Sequence, residues 1–211
     1  MSGAELVNAY RRMLDEGLIQ GTAGNVSVRT ERGMLITPSS LDPATMQAGH
    51  VCEFDLDTGF IGGDHTPSTE WMLHLGVYRN TTVAAIVHTH SLSATAVSLV
   101  TDELPAVHYY IARLGGPVPV VPYATYGSEE LAEHVAAALQ ERQAAILQNH
   151  GTVTVGRTLD EAFDRATLLE WLCELYLKAA SVGTLHVLTA DDLDAVRAQA
   201  AHIAERGYRL G

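Results

Sequence analysis

Lysine is almost absent from this chain of 211 residues: Lys178 is the only one. Basic residues number 13 against 25 acidic ones, giving a formal charge of −12. A surface this acidic argues against nucleic acid and anionic membranes as partners. It leaves room for a small phosphorylated ligand, because backbone N–H groups and hydroxyls hold a phosphate without a lysine. Cysteine is scarce too, with Cys52 and Cys173 alone, too few for a disulfide framework, so a reducing cytoplasm is expected. No apolar run approaches the roughly 18 residues that cross a bilayer. Met1-Ser2-Gly3-Ala4-Glu5 lacks the basic and apolar regions of a secretory signal, and none is expected. Low-complexity tracts, repeats and Gly/Ser/Pro linkers are missing as well. Leu114–Pro122, the stretch richest in Gly and Pro, is too apolar for a solvated tether, so residues 1–211 read as one domain.

What is present is an interleaving of short strands and helices. Leu6, Tyr10, Met13 and Leu14 follow helical spacing, with Gly17 just beyond as a cap. Asn25–Arg29 alternates, and a turn at residues 30–33 leads to a return strand, Met34–Thr37. Val51–Leu56 is a third strand, ended by Asp57-Thr-Gly59. Ser68–Tyr78 reads as a helix, Val83–Val87 as a buried strand followed by a helix to Leu99, and Val118–Val121 as a short strand. Ser128 caps a helix running to about Arg142. Ala144–Leu147 and Thr152–Val155 are strands joined through Gln148-Asn-His-Gly151. Thr158-x-x-Glu161 is a capping box opening a long helix to about Val182, and Asp191–Arg206 is the last helix. Strands, helices and hairpins together predict an α/β or α+β sandwich rather than a doubly wound sheet.

The candidate chemistry gathers at strand ends. His88 and His90 follow an apolar strand and, at i and i+2, point to one side, which makes a ready bidentate metal site. His150 stands where another apolar strand ends, beside Gly151, whose freedom allows a tight turn. Three imidazoles plus a carboxylate or water make a catalytic zinc shell. Glu70, expected in the first turn of its helix, serves either that helix's dipole or the metal as base or ligand. Three small-residue segments could hold an anion: Gly21-Thr-Ala-Gly-Asn-Val-Ser27, Thr37-Pro-Ser-Ser40, and Ser68-Thr69 at a helix N-terminus. None is a Walker or dinucleotide fingerprint. His74 reads as a helix-surface or interface residue, and His50, His65, His134, His186 and His202 as solvated. Trp71 and Trp171 read as core or interface residues, and both cysteines as small buried hydrophobes.

Taken in order, Gly21–Arg29, Ile36-Thr-Pro-Ser39, Pro67-Ser-Thr-Glu-Trp71, Val87-His-Thr-His90, Ala106-Val-His-Tyr109, Pro122-Tyr-Ala-Thr-Tyr-Gly127 and Leu147-Gln-Asn-His-Gly151 resemble the class II aldolase/adducin-like family over roughly residues 4–180. The resemblance implies a three-layer α/β/α sandwich around a mostly antiparallel central sheet. It implies His88, His90 and His150 as ligands of one zinc ion per subunit, with Glu70 as acid/base and a possible fourth ligand. Gly24, Asn25, Ser39, Ser40, Ser68 and Thr69 fall at phosphate-binding positions. Tyr109 falls where a tyrosine reaches into the neighbouring subunit's site and protonates the aldehyde oxygen, in a homotetramer with shared sites.

The implied reaction is zinc-dependent, reversible cleavage of a ketose 1-phosphate, such as L-fuculose 1-phosphate or a 5-deoxypentulose 1-phosphate, through an enediolate. The products are dihydroxyacetone phosphate and an aldehyde. The resembling pentulose-phosphate 4-epimerase carries aspartates at the Glu70 position and near Tyr109, whereas this chain has Glu70 and His108-Tyr109-Tyr110. The methylthioribulose-1-phosphate dehydratase of the family keeps the histidines and stands as an alternative. A non-catalytic adducin-like module would lack them. Thr69 stands where a second serine is usual, Ser40 where glycine is common, and Tyr208 lies near a tail tyrosine that helps close the aldolase site.

Overall fold

The computed structural model describes residues 2–206. Its elements follow in the order α1 (Gly3–Asp15), β1 (Asn25–Arg29), β2 (Gly33–Ile36), β3 (Cys52–Asp55), β4 (Gly59–Gly62), α2 (Trp71–Asn80), β5 (Ala85–Thr89), α3 (Leu92–Val97), β6 (Glu103–Leu104), β7 (Val118–Val121), α4 (Glu129–Ala138), β8 (Ala144–Leu147), β9 (Gly151–Gly156), α5 (Leu159–Ala180) and α6 (Ala190–Glu205). The strands form one sheet in the order β4-β3-β2-β1-β5-β9-β8-β7-β6. Only β7 and β8 run parallel; every other neighbouring pair is antiparallel.

Alternation along the central strands sorts the layers. Val26 and Val28 of β1, with Ala85 and Val87 of β5, pack under α1 and the first half of α5. Ile86 of β5, with Val153 and Val155 of β9, faces α2 and α4 on the opposite side. A third cluster joins α3, β6, β8, the second half of α5 and Leu193 of α6. These three clusters complete the α/β/α sandwich. Among the described residues no helix is long and apolar enough to cross a membrane.

Several boundaries differ from the sequence reading. Asp57-Thr-Gly59 does not end the β3 region but turns it into a hairpin, through Asp55 Oδ1, which accepts from the amides of Asp57 and Thr58. The return strand β4 and the two-residue β6 were not expected. The helix expected from Ser68 begins at Trp71, because Pro67 pairs with Pro38 and Ser68 N donates to Thr37 O, keeping this segment extended beside the β2 exit. The helix after Ser128 stops at Ala138. Only half of the expected capping box forms: Thr158 Oγ1 accepts from Glu161 N, while the Glu161 carboxylate turns to the Arg157 amide.

Candidate active site

Asn25 and His88 are opposite each other in the β1–β5 pairing, so both side chains leave the sheet on the α2 side. His90 sits one residue past β5, its amide bonded to Leu18 O. His150 ends the β8–β9 turn. The left-handed residue there is Asn149 (φ 57°), not Gly151. Gly151 is needed for another reason: a Cβ on it would lie 2.0 Å from Thr89 O, inside the β5–β9 pairing. Gly24 is constrained twice, by φ 72° and by His88 O at 2.6 Å from a would-be Cβ.

Glu70 is not in the first turn of α2 but at its N-cap, and its carboxylate makes no capping bond. It turns instead to the imidazoles. Glu70 Oε2 lies 2.9 Å from His88 Nε2, and Oε1 3.1 Å from His150 Nε2. His88 Nε2 and His90 Nε2 are 3.0 Å apart. One potential ligand atom from each of Glu70, His88, His90 and His150 falls within 4.8 Å of all the others. Burial works to raise the Glu70 carboxyl, but His88 and His150 outweigh it and hold the carboxyl far below the usual range. Burial lowers His88, but Glu70 and the Thr152 carbonyl overcome that and raise it. Burial, with its two histidine neighbours adding to it, pushes His90 down to about 3.

This donor set fits a metal ion. His88 Nδ1 meets the Thr152 carbonyl oxygen at 2.9 Å, and an oxygen there can only accept, so Nδ1 carries the proton. In the neutral ring Nε2 is then a bare lone pair, aimed at a second imidazole and a carboxylate. Glu70 Oε1 is buried and accepts no well-directed hydrogen bond. Acceptors that converge without protons between them ask for a cation. Three nitrogens and a carboxylate oxygen suit a divalent metal ion.

Glu70, His90 and His150 of the cluster line a cleft of about 320 Å³, and His88 is buried behind them. Gly24, Asn25, Ser39, Ser40, Ser68 and Thr69 all line it. They meet there because Ser39 N donates to Thr66 O and Ser68 N to Thr37 O, joining two small-residue segments side by side. Ser40 takes the left-handed conformation (φ 58°), as the glycine common at its position would. Three further lining residues were not picked out from sequence: Tyr123, Tyr126 and Asn149. All three lie inside quoted motifs, next to residues that were.

Tyr109 is not brought to this cleft by its own chain. It is 48% exposed and borders a separate groove with Val196 and Ala200 of α6. His108 and Tyr110 pack against it, and the exposed Trp171 packs in turn on His108 and Tyr110. Tyr208 lies outside the described residues. His74, expected on a surface, is fully buried, because its ring fills the space between α2 and β1. His50, His65 and His134 are half-buried rather than solvated, whereas His186 and His202 are exposed. Both cysteines are buried and free, their thiols raised by burial.

Sheet order, flanking helices and a His₃Glu cluster at the ends of the central strands define a class of metal-site α/β/α enzymes, and comparison with known proteins makes it specific. Residues 4–177 match the Class II Aldolase and Adducin N-terminal domain model, so the chain belongs to that family. It is an enzyme of the sugar-phosphate aldolase kind. It is 41% identical over 180 residues to the L-fuculose phosphate aldolase of Escherichia coli K12, covering 84% of this chain and 83% of that one. It is 37% identical over 193 residues to the 5-methylthioribulose-1-phosphate/5-deoxyribulose-1-phosphate aldolase of Rhodospirillum rubrum, covering 90% and 87%. A solved L-fuculose 1-phosphate aldolase superposes with a TM-score of 0.90 at 32% identity, over 93% of this chain and 94% of that one.

Proposed function

We propose that this protein is a divalent-metal aldolase that reversibly cleaves a ketose 1-phosphate into dihydroxyacetone phosphate and an aldehyde. The observation that carries the reading is the meeting of Glu70 with three imidazoles, two of them on the wall of a cleft also lined by hydroxyls and small residues. His88, His90 and His150 hold the metal, for which zinc is the best match. A metal there would supply a Lewis acid for the negative charge that builds on the ketone oxygen as the carbon–carbon bond breaks. Glu70 carries a proton to and from the carbon at which the bond breaks.

Asn25, Ser39, Ser40, Ser68, Thr69 and the Gly24 backbone bind the phosphate through dipoles, with no lysine or arginine among the described residues that line the cleft. Tyr109 serves the site of a neighbouring copy, giving its proton to the aldehyde oxygen. That role calls for self-association, as a homotetramer. The exposed aromatic cluster of Tyr109, Tyr110 and Trp171 supports an interface there. Two free cysteines suit a reducing cytoplasm.

The named relatives direct the choice of substrate to deoxy-sugar ketose 1-phosphates. The test is a cleavage assay on L-fuculose 1-phosphate, 5-deoxyribulose 1-phosphate and 5-methylthioribulose 1-phosphate, coupled to detection of dihydroxyacetone phosphate. Release of that product from at least one is expected. Loss of water or epimerisation without it would replace the aldolase reading.

A further inference from the structure

Behind Glu70 and Asn25 a buried polar chain continues through His74, Ser27 and Tyr78, three residues that neither the metal nor the phosphate reading uses. Glu70, His74 and Tyr78 are spaced by four residues from the N-cap of α2 along the helix, and so share one of its faces. That face meets Asn25 and Ser27, at i and i+2 on β1. All five side chains are buried, His74 and Ser27 completely.

The hydrogens of this chain can be assigned from one end. An ionised carboxylate only accepts, so Asn25 Nδ2 donates to Glu70 Oε2 at 3.0 Å. Asn25 Oδ1 then faces His74 Nε2 at 2.5 Å, and being an oxygen it must accept, so Nε2 carries the proton. Burial, with His88 adding to it, pushes His74 down to about 3, so the ring is neutral and Nδ1 is bare. Ser27 Oγ donates to Nδ1 at 2.6 Å, and the Tyr78 hydroxyl donates to Ser27 Oγ at 2.8 Å. Every donor has one acceptor and the direction is uniform, from Tyr78 to Glu70. Were the Asn25 carboxamide to rotate by half a turn, its oxygen would oppose the Glu70 carboxylate and its amino group would oppose a ring N–H.

We propose that His74 is a positioning residue of this site: by donating to Asn25 Oδ1 it locks the carboxamide with its amino group on Glu70. Ser27 and Tyr78 act one step further back, by fixing the tautomer of His74. The consequence for catalysis rests on the reading of Glu70 as the acid/base. The lock itself does not.

The test uses the zinc-loaded protein with L-fuculose 1-phosphate, or the best substrate of the panel above. His74→Leu should lower kcat about tenfold, the effect of one buried hydrogen bond in an active site. His74→Gln, whose amide nitrogen can stand where Nε2 does, should recover most of it. In an Asn25→Ala background His74→Leu should cost almost nothing more, since it acts through Asn25. The Asn25 side-chain amide signals in ¹⁵N NMR, identified by their loss in Asn25→Ala, should shift in His74→Leu without substrate present. Ser27→Ala keeps the ring and serves the same cycle where His74→Leu does not fold. Additive penalties in the cycle, no recovery by glutamine, or unmoved Asn25 signals would each overturn the proposal. Wild-type turnover in Glu70→Gln would instead remove the acid/base reading, leaving the NMR signals to judge His74 alone.

Discussion

Gly151 and Thr89 touch backbone to backbone, so closely that any side chain at 151 would enter the Thr89 carbonyl oxygen. Each is the immediate neighbour of a candidate ligand: Thr89 stands between His88 and His90, and Gly151 follows His150. The contact therefore sets the spacing of three imidazoles before any metal arrives. Rigid elements rather than mobile loops hold the set.

The first prediction concerns that metal. The purified protein should carry about one zinc per chain, and His88→Ala, His90→Ala and His150→Ala should each lose it. Gly151→Ala should lose it too, although no ligand is changed. Metal content by plasma mass spectrometry, beside a melting curve, checks all four; full retention in His150→Ala would take that residue out of the set.

Removing the carboxylate while keeping its shape isolates its chemistry. Glu70→Gln should lower turnover by roughly 10²-fold or more, with substrate binding nearly intact, as expected when a general acid–base group is lost. Steady-state kinetics on the preferred ketose 1-phosphate read both values. Wild-type turnover with weakened metal binding would mean that Glu70 is a ligand and nothing else.

Shared sites predict complementation. Tyr109→Phe and His90→Ala proteins, each inactive alone, should regain activity when their subunits are dissociated, mixed and reassociated. Some mixed interfaces then pair an intact metal site with an intact tyrosine. Light scattering on the same samples reports the assembly, and a monomer would end the idea before any assay.

Ser40 is an L-residue in a conformation that costs roughly 1 kcal/mol or more outside glycine. Ser40→Gly relieves this but gives the unfolded chain more freedom, so stability should change by less than about 0.5 kcal/mol. Ser40→Val, β-branched at the same φ, should cost about 2 kcal/mol. Denaturant midpoints of the pair measure the difference, and equal midpoints would show that the loop simply changes conformation.

His74 also predicts a pH effect. Its folded value, about 3, lies below that of an unfolded imidazole, so the unfolded chain binds the extra proton. The stability this neutral ring lends is complete above about pH 6.5 and is lost progressively as the pH falls from there. His74→Gln removes the titrating group, so its melting temperature should fall less steeply than wild type between about pH 6.5 and pH 5. Parallel slopes would contradict a buried, neutral His74.

Much of this was legible in the residues. β1, β7 and β8 lie where their alternating or unbroken apolar runs place them, and α5 and α6 begin beside their threonine caps or first acidic turn. The three histidines announce themselves by standing where apolar strands stop. Ser68-Thr69-Glu70 resembles a helix start in sequence, and the Pro38–Pro67 bridge together with the Ser68 N–Thr37 O bond keeps that segment extended. His74 was misplaced because a polar residue on a helix is usually wet. The spacing of Glu70, His74 and Tyr78 puts them on one face of α2, a pattern that a wet face shares, and only the packing against β1 buries it. β4 escaped notice because Gly59-Phe-Ile-Gly62 does not alternate, and its pairing with β3 is a tertiary fact.

Among the described residues the cleft's lining holds no lysine or arginine, in a chain of net charge −12. A dianion arriving there meets oriented dipoles, and on the way it crosses a repulsive field. On the proposed reading such a site recognises the tetrahedral shape of its ligand, and any attraction during the encounter comes from the metal rather than from basic side chains. Added salt screens the repulsion without weakening the short hydrogen bonds, so kcat/KM for a sugar phosphate should hold or rise with ionic strength, where a lysine-built site would lose ground.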